Sequence, residues 1–380
     1  MALSGNKGEW SEIYALFKLL GDGKLFSGDE KYRKIDDLFF PIQKILRREK
    51  DQETDSVFSI DPDAQEVVLD VDGRSVVFAQ ASFDEKALEL FKEIKKGKSK
   101  NGKEKLVFPN IESFLTQELN IHALKAKSVE KRDIRMIIHD IKTDRFSELG
   151  FSIKSKLGGN STLFNSNKDG TNFLFQIKGG ISDDQIEELN NLSDTKEKRR
   201  KGFLNKWFKQ IDEWGYSVEY IKMLNNVFFN NLLFIDTRFH KFLADCLLVY
   251  YSSKGISKVS EIVKIASKHD PCGIMNDNVA SSWYEFSMKQ FLIIYALGMT
   301  ANKPWNCKYS ANGGYIVVKE DGDIVCYHFY DRNQLENYLF DNTAFDTPST
   351  ERHLFNQIWR GEDGNVYLKL NPQIRFIHEK

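Results

Sequence analysis

Asp133-Ile-Arg-Met-Ile-Ile-His139 and, beyond residues 140–149, Gly150-Phe-Ser-Ile-Lys-Ser-Lys156 are two runs in which apolar and polar residues alternate. That alternation is the pattern of β-strands with one face in a core. In the first run Ile134, Met136 and Ile138 share one parity, and Asp133 and Arg135 the other. In the second, Phe151, Ile153, Ser155 and Leu157 take the core parity, which leaves Ser152, Lys154 and Lys156 on the opposite face. With residues 140–149 as the connecting loop, antiparallel pairing sets the start of the first strand beside the end of the second. Asp133 then meets Lys154 and Lys156 on one polar face. A third run, residues 172–178, follows closely, and the three together predict a β-meander.

Outward from this meander the pattern changes. Trp10, Ile13, Leu16, Phe17 and Leu20 recur at helical spacing, and Gly21-Asp-Gly23 supplies a stop. Residues 67–78 place Asp72-Gly73 between two β-branched runs, the signature of a hairpin with a type I′ turn. Residues 95–105 are basic and rich in turn formers, as expected of an exposed loop. Residues 182–300 read as mostly helical, with Ile186/Leu189, Phe203/Trp207/Ile211 and an aromatic-rich segment over 218–251. The last eighty residues return to short strands with turns at Asp321-Gly322 and Asp363-Gly364, and a small helix near 333–340. The predicted class is α/β (α+β): a mixed sheet flanked by helices, with additional helical and C-terminal β segments. Three regions are expected: 1–180, containing the meander at 130–180; a helical region, 181–300; and a strand-rich region, 301–380.

With 380 residues, 41% of them hydrophobic and 29% charged, the chain suits one large or two ordinary globular domains. Its formal net charge of -1 provides no whole-molecule attraction for polyanions, so any nucleic-acid surface has to be a local basic patch. The four cysteines show no CxxC spacing and no paired histidines nearby, against a zinc ribbon or a disulfide scaffold. No apolar leader opens the sequence, and the apolar run at 291–297 is too short to span a bilayer, so a soluble cytoplasmic protein without membrane contact is expected. No Gly-rich phosphate loop precedes a helix, which argues against ATP dependence.

A carboxylate beside a lysine at a sheet edge is most often a surface ion pair worth ~0–1 kcal/mol. The same pair is also what phosphodiester hydrolysis requires: an oxygen ligand for Mg²⁺ and a cation for the water or the developing charge. Five segments bear on the choice: Asn6-Lys-Gly-Glu-Trp-Ser-Glu12; Gly150-Phe-Ser-Ile-Lys-Ser-Lys-Leu-Gly158; Ser161-Thr-Leu-Phe-Asn165 with Thr171-Asn-Phe173; Asp346-Thr-Pro-Ser-Thr350; and Leu370-Asn-Pro-Gln-Ile-Arg-Phe376. In this order they resemble the HpaII-type restriction endonucleases over nearly the whole chain. The resemblance implies a PD-(D/E)XK nuclease core, Mg²⁺-dependent cutting of double-stranded DNA at a short site such as CCGG, and a companion DNA methyltransferase. It leaves a homodimer open.

The chain departs from the general motif at two places. Ser152 stands where the acid two before the lysine is expected, and Arg132 where a proline precedes the aspartate. The resemblance then implies a glutamate recruited from the first helix. Glu9 and Glu12 both qualify, and Glu12, at the border of the Leu16/Leu19/Leu20 stripe, is preferred. Asp140 and Asp144 rival Asp133 but lie at the turn end, away from Lys154. The implied set is Asp133, Glu12 and the Ile153 carbonyl as metal ligands, Lys154 as catalytic lysine, and Ser152 at most holding a metal-bound water. The missing acid also leaves an alternative, a catalytically silent sequence-specific DNA-binding protein. Candidate DNA contacts are Lys156, Asn160, Ser161, Thr162, Asn165 and Asn172 after the lysine, and Thr350, Arg352, Gln373 and Arg375 near the carboxyl end. A basic cluster at 196–201 is a further phosphate-contact candidate.

Overall fold

The computed structural model describes the chain except residues 1, 30, 50–51, 98–104, 128–130, 195–202, 275–276, 351, 356 and 378–380. The basic segment at 98–104 and the cluster at 196–201 lie outside the described residues. In chain order come α1 (Lys7–Asp22), β1 (Lys24–Gly28), β2 (Lys34–Arg47), β3 (Ser56–Asp61), β4 (Glu66–Val71), β5 (Arg74–Ala79), α2 (Gln80–Lys96), a short α3 (Pro109–Ser113), β6 (Ile134–Asp140) and β7 (Arg145–Ser155). Next are β8 (Thr162–Phe164), β9 (Phe173–Lys178), α4 (Asp183–Asp194), α5 (Phe203–Glu213), β10 (Ser217–Met223), α6 (Asn226–Leu233), α7 (Phe239–Ser252), α8 (Val259–His269) and α9 (Asp277–Leu297). The chain closes with β11 (Gly314–Val318), β12 (Ile324–His328), α10 (Arg332–Asp341), β13 (Thr343–Phe345), β14 (Ile358–Arg360), β15 (Val366–Leu370) and β16 (Ile374–Phe376).

Two compact units share this chain: Met1–Ser161 with Tyr309–Tyr338, and Thr162–Lys308 with Leu339–Lys380. They are interleaved, whereas composition suggested consecutive regions divided near 180 and 300. Composition marks where the pattern of residues changes. It does not mark where a late hairpin returns to an early sheet.

The first unit is built on a nine-stranded mixed sheet of order β1-β12-β11-β7-β6-β2-β3-β4-β5. The hairpin at Asp72-Gly73 forms as expected, with both residues at positive φ (48° and 76°) between β4 and β5. β6 and β7 pair antiparallel with Ile134 opposite Phe151, and β7 pairs parallel with β11 on its other side. β9 is therefore not the third strand of a meander. It is buried along nearly its whole length in a second sheet, of order β10-β9-β15-β14, in the second unit. A period of two identifies a strand but not its neighbour.

Against the first sheet packs α1, whose Trp10, Ile13, Leu16, Phe17 and Leu20 are essentially inaccessible and share one core with Phe58, Phe83, Met136, Phe151 and Ile316. Its start is a capping box: Asn6 Oδ1 accepts from Glu9 N, and Glu9 Oε2 accepts from Asn6 N. Its end is Gly23, in the left-handed region at φ 61°.

The second unit carries α4–α9, the four-stranded sheet and a three-stranded sheet β13-β16-β8. Residues 217–223, read from sequence as part of a helical stretch, are a strand antiparallel to β9. The alternation of half-buried Val218 and Tyr220 with exposed Ser217, Glu219 and Ile221 is the local cue for that outcome.

Candidate active site

The site lies in the first unit, where β6 begins, β7 ends and α1 passes. Asp133 sits one residue before β6, and its N–H donates to Phe151 O at 2.9 Å. Its Oδ2 accepts from Ile153 N at 2.7 Å and from Ser152 Oγ at 3.1 Å. The side chain thus takes the place of the next rung of the ladder and is fixed by two donors. Ser152 stays on the polar face as its parity dictates, yet it is only 2% exposed. Its hydroxyl orients the aspartate.

Lys156 N donates to Val318 O, so by strand alternation residues 152, 154 and 156 address β11. Ile153 then turns both its N–H and its C=O towards the β6 side, beside Asp133. On the polar face, the Lys154 ammonium stands 5.4 Å from the centre of the Tyr315 ring, a buried side chain of β11.

Glu12 reaches the same place from α1. Ser155, on the core parity of β7, donates from Oγ to Ser11 Oγ at 2.8 Å and accepts from Leu157 N at 3.0 Å. This buried link ties α1 to β7 at the residue next to Glu12. The Glu12 side chain keeps 17% of its surface and lies 3.9 Å from the Lys125 ammonium, which is also 3.8 Å from Glu9. Burial, and after it the negative charge of Asp133, raise the Glu12 carboxyl to about 7, against the opposing pull of Lys125, Lys154 and Arg47. Asp133 and Lys154 are therefore both near enough for their charges to act on the Glu12 carboxyl. Glu9, in contrast, uses one carboxylate oxygen in the capping box.

Lys125 and Arg47 carry no sequence signal that would single them out. Arg47 forms a buried ion pair with Glu49 at 2.8 Å and donates to the carbonyls of Ala123 and Leu124, which anchors the backbone that presents Lys125. Only tertiary structure brings these groups together.

A divalent metal can be tested against this donor set. Among the described residues no three His, Cys, Asp or Glu side chains form a metal-holding group. The candidate donors are two carboxylates and a backbone carbonyl, all hard oxygen donors. That suits Mg²⁺, which keeps several waters and commonly takes only one or two carboxylates.

The rival acids sit elsewhere. Asp140 accepts from Lys142 N and Thr143 Oγ1, and Asp144 pairs with His139 at 2.8 Å, both at the far end of the β6–β7 hairpin.

The candidate DNA contacts divide by exposure. In the first unit Asn160 is exposed, Ser161 Oγ donates to Ser155 O at 3.3 Å, and the Lys156 ammonium packs 3.1 Å from the Tyr32 ring centre. In the second, Asn165 and Arg352 are exposed, Thr162 is half-buried and Thr350 is buried. Asn172 is buried, accepting from Asn371 Nδ2 and donating to Lys168 O. Gln373 is buried and donates to Asp346 Oδ2, which also pairs with Arg375 at 2.6 Å. Asn172 and Gln373 are committed to the interior of their unit, because an amide in an apolar setting needs internal partners. Strand and turn composition alone could not reveal that commitment.

With this geometry in place, the comparisons with known proteins are informative. The HpaII restriction endonuclease family matches residues 6–376 of the chain. The type II restriction enzyme HpaII of Haemophilus parainfluenzae is 41% identical over 376 residues, covering 98% of this chain and 99% of that enzyme. No solved structure matches.

Proposed function

The chain belongs to the HpaII restriction endonuclease family, and from that premise we propose that it cuts double-stranded DNA with Mg²⁺ at a site made by Glu12, Asp133, Ile153 and Lys154. Membership makes it a type II site-specific deoxyribonuclease and removes the silent binding protein as an alternative. The observation that supports the assignment of residues is the anchoring of Asp133 Oδ2 by Ile153 N and Ser152 Oγ at the strand end that also carries Lys154.

In this reading the two carboxylates and the Ile153 carbonyl hold the metal, within a core of the PD-(D/E)XK type. Bound there, Mg²⁺ supplies charge neutralisation at the scissile phosphate and a more acidic attacking water. Ser152 and the Ile153 N–H fix the angle of Asp133 through Oδ2. Lys154, held over Tyr315, donates from its ammonium to the attacking water or to a phosphate oxygen, where charge develops. Glu12 takes the position of the acid that Ser152 lacks.

The family resemblance makes CCGG the first sequence to try, with a companion methyltransferase as protection and a homodimer as the form that matches a palindrome. A cytoplasmic location follows from the DNA substrate; no described helix is long and apolar enough to cross a membrane. Asn160, Asn165 and Arg352 are the exposed groups carried forward as DNA contacts, with Ser161, Thr162 and Arg375 beside them.

Digestion of unmethylated plasmid tests the proposal. Discrete fragments are expected with Mg²⁺ and none with EDTA. Lys154→Ala is expected to lose at least about 100-fold in cutting while still binding the duplex; unimpaired cutting by that variant rejects the role given to Lys154.

A further inference from the structure

A cavity of about 100 Å³ opens beside Asp133, lined by Leu46, Arg48, Asp55, Ala126, Lys127, Arg132, Asp133, Ile134 and Arg135. Its four cationic side chains outnumber its two carboxylates. The cations are not equivalent. Arg48 and Arg135 both bind Asp55, and Arg135 also reaches Glu148 at 3.4 Å. Burial works against it, yet hydrogen bonds from these two arginines hold the Asp55 carboxyl below its ordinary range, so that pair of charges is satisfied. Asp133, in turn, is engaged through Oδ2 by Ile153 N and Ser152 Oγ.

Arg132 and Lys127 remain. Among the described residues neither side chain forms an ion pair. Arg132 is half-buried, and its stem lies across Gly150, where an added Cβ would collide with Cγ and Cδ of Arg132 and stand 2.9 Å from Ser310 O. The glycine leaves room for the arginine, and the arginine directs its charge into the cavity wall. Glu148 and Asp55 act on Arg132 only at a distance, burial and the neighbouring arginines oppose its charge, and a guanidinium with no contacting carboxylate presents a fork of donors that fits a phosphate's oxygens.

We propose that this cavity receives a second phosphate of the bound DNA strand, distinct from the one at Lys154, with Arg132 as its main ligand and Lys127 beside it. The inference rests on reading the chain as a Mg²⁺-dependent nuclease and adds a substrate-positioning residue at the place where the general motif carries proline. The phosphate contact sets the register of the strand over the metal ligands and is indifferent to sequence.

The test uses full-length protein in a Lys154→Ala background, which suppresses cutting. Affinity for two duplexes, one with CCGG and one without, is measured against salt concentration. Arg132→Met keeps the stem over Gly150 and removes the charge; an unchanged melting temperature checks the fold. The expected result is about tenfold weaker binding of both duplexes and a slope of log K against log salt smaller by about one, with Arg132→Lys restoring most of both. Unchanged affinity and slope in Arg132→Met, while the parent protein binds and cuts, overturns the phosphate site and leaves the nuclease reading standing. A loss confined to the CCGG duplex makes Arg132 a base reader and also overturns it. A parent protein that neither binds nor cuts removes both.

Discussion

Glu12 shows how one side chain's setting yields a measurable pH dependence. Burial first, and Asp133 second, raise its carboxyl to about 7 in the folded protein, above the ordinary carboxylate value that it regains on unfolding. Between those two values the folded state holds a proton that the unfolded state has released, so stability without metal declines as pH rises through that window. Glu12→Gln lacks this liability. It is expected to match the parent near pH 4.5 and to exceed it at pH 8 by an amount on the order of 2 kcal/mol in denaturant titrations; equal stability at both pH values contradicts the account. Strand parity assigns Asp133 and Lys154 to one polar face without knowledge of the fold; the structure adds that Asp133 Oδ2 accepts from Ile153 N and Ser152 Oγ while Lys154 lies beside Tyr315. The apolar stripe of the helix favours Glu12 over Glu9, and the structure adds that Glu9 is engaged in the capping box and that Ser11, next to Glu12, is bonded to Ser155. The surroundings of Lys125 and Arg132 are not legible in the sequence, since the Glu12 beside one and the Gly150 under the other are distant in the chain.

At the scale of elements, the site depends on how firmly α1 is fixed to β7. Ser155→Ala removes a buried donor to Ser11 and the acceptor for Leu157 N. A loss of about 1–3 kcal/mol is expected by chemical denaturation, together with a higher Mg²⁺ requirement for cutting, because Glu12 is then held less firmly. A wild-type Mg²⁺ dependence in this variant would detach the serine link from the site. Elements with strong local signals form as the sequence predicts: α1 with its glycine stop, the Asp72-Gly73 hairpin, and the turns at Asp321-Gly322 and Asp363-Gly364; β6 and β7 pair antiparallel as expected, but residues 145–149, read as connecting loop, extend β7 along β6. The 14-residue β2 carries no clean alternation and contains Pro41, because its first half pairs with β1 and its second with β6 and β3, around a register shift between Ile42 and Lys44. β9 was found as a strand but assigned to the wrong neighbours. Its burial on both faces marks the interior of a sheet without saying which sheet.

For the whole molecule, the decisive feature is that the first unit is discontinuous. β11 lies parallel to β7, and β12 meets β1 through Ser27 and Cys326, so the early sheet is completed by residues from the last fifth of the chain. A polypeptide ended at Lys308 is expected to leave Phe151 and Ile153 uncovered, to unfold without a cooperative transition in that unit, and to cut no DNA. Circular dichroism during urea titration checks this, and a sharp native-like transition would refute it. Strand pairing over such a separation forms late. On the ribosome, at roughly 5–20 residues per second, the wait between β1 and β12 is on the order of tens of seconds. During that interval the nascent enzyme is unarmed, so a broken message or a stalled translation event releases no blade against the host chromosome.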